Sequence, residues 1–148
     1  MTLPPARLWQ QAEGALVLAA ALALYLAPAW SSALSPDLGI APGTPLATVT
    51  DGQAFAWWQA ILLFFAPDLS FAAYLAGPRR GAIAYNAVHL YGFGACVLAI
   101  GLLSGTHWLG ALGLLWLGHA GLDRMLGYGL KLPGGFQQTH LGRIGRQP

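Results

Sequence analysis

Charge is what this sequence has least of: only 8 % of its 148 residues are Asp, Glu, Lys or Arg, against roughly a quarter in a soluble domain. A chain so short of charge cannot clothe itself in a solvated surface, and with 56 % apolar residues it reads as a membrane protein. The net charge of +2 is too small to recruit a nucleic acid. A single cysteine, Cys96, set in an apolar run, excludes an internal disulfide and reads as a packed side chain. Spans of about 20 residues leave no room for a separate soluble unit, so residues 1–148 form one domain.

What is there falls into four apolar runs, and the expected fold is an all-α, polytopic bundle of four transmembrane helices. The spans are expected at about 12–30, 55–77, 82–103 and 108–128. Trp9 and Trp30 bracket the first as interfacial anchors. Residues 31–53 form a loop rich in Pro and Gly with Asp37 and Asp51 as its only charges, which counts towards the non-cytoplasmic side. Pro67 removes a backbone donor inside the second span and is expected to kink it. Gly92 and Gly94 permit close helix contact in the third, where Tyr85 and Tyr91 read as interfacial or interhelical. Arg7, Arg79, Arg80, Lys131, Arg143 and Arg146 all fall at one end of this layout. The positive-inside rule then puts both termini in the cytoplasm, in the inner (plasma) membrane.

Polar side chains inside the runs are few, and so informative. Counted at 1.5 Å per helical residue, Asp68, Asn86, His89, His119 and Asp123 all lie ~8–14 Å below the cytoplasmic boundary. His119 and Asp123 stand four residues apart on one helical face, and Asn86 and His89 three apart on another. An intramembrane ionisable residue is costly and needs a partner, a metal or a proton. Two imidazoles and two carboxylates suit a divalent metal, zinc or iron, with Asp68, His89, His119 and Asp123 as ligands and Asn86 behind them. A bis-histidine haem b between His89 and His119 is a second reading. A proton or ion relay is a third, and a structural network in which Arg124 pairs with Asp68 or Asp123 is a fourth.

The tail, 132–148, is too polar to enter the bilayer. Phe136, Leu141 and Ile144 suit an interfacial resting place while Arg143 and Arg146 meet head groups; alternatively the tail folds back and brings Thr139 and His140 to the mouth of the polar layer.

Taken together, Ala66-Pro67-Asp68-Leu69-Ser70, Gly77-Pro78-Arg79, Tyr85-Asn86-Ala87-Val88-His89, Gly118-His119, Asp123-Arg124-Met125-Leu126-Gly127-Tyr128-Gly129-Leu130-Lys131 and Thr139-His140-Leu141-Gly142 resemble the membrane family catalogued as domain of unknown function 4260. The resemblance runs from about Trp57 to Arg146. It implies a small four-span membrane protein and carries no activity with it; the connection 31–53 looks longer than that family's link. A Pro-Asp at a span break with intramembrane histidines is, more distantly, similar to membrane-bound metal-dependent hydrolases.

The activity expected is accordingly a metal-assisted hydrolase on a lipid or other amphiphile, with Asp68, His119 and Asp123 catalytic. Asn86, Arg124, Lys131 and His140 are placed behind them or against an anionic substrate group. The runner-up is a small transporter, or an accessory subunit that packs against a membrane complex or a second copy of itself through its Gly-rich faces.

Overall fold

The computed structural model describes residues 5–27 and 54–145. Trp30, the loop 31–53 with Asp37 and Asp51, and Arg146 lie outside the described residues.

The chain is mostly helical. Helix α1 (Pro5–Leu26) is followed by α2 (Trp57–Phe64), a 3₁₀ helix (Ala66–Ala76), α3 (Pro78–Val88), α4 (Tyr91–Leu103) and α5 (His107–Met125). Two short strands, β1 (Gln138–Thr139) and β2 (Gly142–Arg143), pair antiparallel in the tail with Gln138 opposite Arg143 and Thr139 opposite Gly142.

Helix α5 is central. α1 lies antiparallel against it, with Gly14 beside Gly121 and Met125, and Ala21 beside Gly118. α4 lies antiparallel on another side, with Gly94 beside Leu117 and Gly101 beside Gly110. Glycine is required at these crossings because the backbones nearly touch. Gly92, by contrast, has open space where a side chain would be. Tyr25, Ala111, Leu114 and Leu115 form the buried core, with Phe55, Leu63, Phe64 and Leu98 packed against it.

Two expected spans are broken, and both breaks have a local cause. Pro67 has no N–H to offer the Leu63 carbonyl four residues back, which accepts a backbone N–H at the end of α2 and the Trp116 indole N–H, the latter at 3.0 Å. The α-helix therefore ends at Phe64, before Pro67, and the chain continues as an 11-residue 3₁₀ helix. Such runs seldom exceed 3–4 residues. The third expected span starts earlier, at Pro78, and breaks at His89–Leu90, where α3 and α4 meet at 44°. Leu90 is extended there, with ψ 137°.

Among the described residues, Trp57–Ala76 is the one helical run long and apolar enough to cross a membrane, and α3 with α4 makes a second if the bent pair counts as one span. Helices α1 and α5 are 22 and 19 residues long but carry Arg7, Gln10, Gln11 and Glu13, and His119, Asp123 and Arg124. Cys96, expected to be packed, is exposed on α4.

Candidate metal centre

Breaking a helix frees backbone groups and turns side chains inward, and here two breaks fall at the same level of α5. Asp68 sits in the first turn of the 3₁₀ helix, His89 at the α3–α4 junction and His119 near the end of α5. His89 is fully buried and His119 1 % exposed, whereas the Asp68 side chain is 35 % exposed and forms the open side.

The ring nitrogens define the chemistry. His89 Nδ1 lies 2.8 Å from the Tyr85 carbonyl, which can only accept, so Nδ1 carries the proton and Nε2 presents a lone pair inward. Facing it, His119 Nε2 stands 3.1 Å away, and Asp68 Oδ1 lies 3.4 Å from each nitrogen. Three donors at these separations form one triangular face. Ligands about 2.0–2.2 Å from a tetrahedral zinc stand about 3.3 Å from one another, so the triangle matches the face such an ion occupies. These three residues are the group able to hold a metal ion among the described residues. The imidazoles are braced by rings: Tyr85 stacks on His89 at 3.6 Å between centroids, and Phe64 and Phe65 meet His119 edge-on at 5.4 and 5.8 Å. His119 Nδ1 is buried without a hydrogen-bond partner, unlike its counterpart on His89.

Asp123, the fourth expected ligand, stands just outside this triangle. Its Oδ2 accepts the Tyr85 hydroxyl and lies 3.7 Å from His89 Nε2. Tyr85 is therefore part of the site. Its signal was the spacing from His89, one helical turn, which places both rings on one face of α3.

Several expected roles are corrected. Arg124 does not pair with either carboxylate: its Nη1 donates to the Tyr128 carbonyl at 2.8 Å and its Nη2 to that of His89 at 3.4 Å. The break at His89 is what exposes the second carbonyl to it. Asn86 points at the tail, donating to the Lys131 carbonyl at 2.9 Å and accepting the Lys131 N–H at 2.7 Å. His140 is exposed and accepts the Leu130 N–H at 2.8 Å, which braces the tail. The 3.1 Å between His89 Nε2 and His119 Nε2 is shorter than the about 4 Å between nitrogens on opposite sides of a haem iron and suits two ligands on one face of an ion.

The tail does fold back onto the helices. Phe136 packs on Phe71 and Tyr74, with centroids 5.3 and 5.4 Å away, and Thr139 pairs with Lys131. Lys131 is 4 % exposed, its ammonium 4.2 Å from the Phe136 ring centre and 5.0 Å from that of Tyr85. Burial pushes its pKa down, against the opposite pull of Asp123 and Asp68.

No curated protein matches the chain. No solved structure matches it either. One family does, over residues 37–144. That range begins inside the Pro/Gly connection. It takes in Asp68, Tyr85, His89, His119, Asp123 and Lys131 and leaves out α1. Since the match covers more than half of the sequence, the chain belongs to the family described as domain of unknown function (DUF4260).

Proposed function

We propose that this is a four-span protein of the inner (plasma) membrane, with both termini cytoplasmic, and that Asp68, His89 and His119 hold a zinc or iron ion serving the hydrolysis of a lipid or other amphiphile. The observation that carries the reading is the 3.1, 3.4 and 3.4 Å triangle of donor atoms, with one lone pair aimed inward by a carbonyl behind it.

The membrane setting is supported by where apolar surface lies. An apolar helix in a soluble core is buried, yet only 6 % of the most apolar stretch of Trp57–Ala76 is. Leu69, Leu75 and Leu103 are 77 %, 94 % and 88 % exposed. Arg7 lies against Gly127 at the end of α5, so the basic N-terminus and tail share one end of the helices, as the positive-inside rule requires.

A bound divalent ion would bring a water's pKa towards neutrality and polarise an acyl or phosphoryl oxygen. The chain's own groups divide the remaining work. Asp123, beside His89 Nε2, would be the base towards such a water, and the Tyr85 hydroxyl holds its carboxylate in place. Lys131 supplies positive charge to an anionic part of the substrate. The open side at Asp68 admits the amphiphile.

Metal analysis of protein purified in detergent without chelator tests this. The expected content is about one zinc or iron per chain, lost in Asp68→Ala and in His119→Ala. A metal-free, stable protein whose His119→Ala variant only melts earlier would sink the reading in favour of a transporter or accessory subunit.

A further inference from the structure

Beside the triangle lies a cavity of about 310 Å³ lined by Ala66, Pro67, Ser70, Val88, Phe93 and Trp116. Its walls are continuous with the site. Ala66 and Pro67 lead into Asp68, Val88 precedes His89, and Trp116 stands one helical turn before His119. Both helix breaks create the space, because the chain leaves α-helical geometry on either side of it. Its floor is rigid: the Trp116 indole is pinned to the Leu63 carbonyl at 3.0 Å, and Phe93 stacks on it with centroids 5.4 Å apart and planes 19° from parallel.

Ser70 is the one polar residue of this lining. Its Oγ is buried against the protein and has no hydrogen-bond partner. A hydroxyl left so is costly unless something else uses it. The volume sits at the lower end of the ~300–1,000 Å³ of small-molecule sites, which suits one extended hydrocarbon chain.

We propose that this cavity seats a single hydrocarbon chain of an amphiphile, with the head at its end delivered to Asp68, His89 and His119. The proposal rests on the metal reading of the neighbouring triangle for its functional meaning and on the cavity alone for binding. It narrows the substrate class: the group hydrolysed stands at the end of an alkyl chain, and a second chain, where the lipid has one, stays in the bilayer.

A fatty acid carrying a diazirine on its chain, photolysed with the full-length protein in detergent or nanodiscs and mapped by mass spectrometry, tests it. Label is expected on the segments holding Ser70, Val88, Phe93 and Trp116, and unlabelled dodecanoate should compete for it saturably. Ser70→Leu and Val88→Phe each fill the cavity from a different wall and should weaken labelling by about tenfold, while metal content per chain stays that of the wild type. Labelling spread evenly with that of Leu75, Ile100 and Leu103 on the exposed faces, or unchanged by both substitutions, overturns the proposal. Saturable labelling in a protein that proves metal-free keeps the chain seat and removes the hydrolase reading, so the two fail separately.

Discussion

Helix α5 has two sides built by opposite rules. Towards α1 and α4 it is stripped of side chains, so that a Cβ added to Gly121 would lie 2.7 Å from the Leu18 nitrogen and one added to Gly113 would run into the backbone nitrogen of Leu98. Towards α2, the 3₁₀ helix and α3 it carries Trp116, His119 and Asp123, each engaged with a group that a helix break has released or redirected. The first side is held by close backbone approach, which needs regular helices. The second holds chemistry, which needs irregular ones. A single helix can serve both because the glycine side fixes its position against two regular neighbours, leaving the opposite face free of that duty.

The largest effect is expected on the packed side. Gly121→Val puts two methyl groups against the α1 backbone, and backbone cannot move aside as a flexible side chain can. Destabilisation of about 3 kcal/mol, the upper range for overpacking, is expected as a lower melting temperature in detergent. Gly92→Ala, where a Cβ meets nothing within 4 Å, should be neutral or slightly stabilising. Equal behaviour of the two variants would break the contrast between the faces of α5.

A buried His/Asp group was readable before any coordinates, because an apolar run tolerates so few ionisable residues that their depth along each helix carries information. The turn at Gly77–Pro78 and the irregularity near Pro67 were readable too, each from a proline. The break at His89–Leu90 was not. Nothing in Val88-His89-Leu90-Tyr91 disfavours a helix; the break goes with hydrogen bonds that the sequence cannot display, His89 Nδ1 to the Tyr85 carbonyl and Arg124 to the carbonyl of His89. The reading in which Arg124 pairs with Asp68 or Asp123 fails for the same reason. A guanidinium near two carboxylates suggests an ion pair, and only the fold reveals that carbonyls stand nearer. Tyr85 reads from the sequence as an interfacial or interhelical residue and not as a site residue, because the hydroxyl contact that ties it to Asp123 is made between helices.

The next effect in size separates the triangle from its surroundings. Asn86→Ala removes both hydrogen bonds that hold the Lys131 backbone and leaves an N–H and a carbonyl unpaired, at a cost of about 2 kcal/mol. The tail should loosen, so limited proteolysis after Leu130 should quicken while metal content is kept. Loss of the metal in this variant would instead make Asn86 a support of the ligands, the role its spacing from His89 suggests.

The smallest effect tests whether the break before Pro67 depends on α5. Trp116→Phe preserves an aromatic face for Phe93 and deletes the indole N–H that joins a backbone N–H on the Leu63 carbonyl. Interhelical hydrogen bonds in membranes average well under their isolated strength, so about 1 kcal/mol is expected, read as a small drop in melting temperature. The more telling readout is metal retention. The indole anchors the last turn of α2, from which the 3₁₀ helix places Asp68, while His89 and His119 are positioned by other contacts. Weaker metal binding in Trp116→Phe, with His89 and His119 intact, would follow from a displaced Asp68. Unchanged affinity would mean that Pro67 alone sets the irregular backbone, and that the two sides of α5 are less divided in their tasks than their geometry suggests.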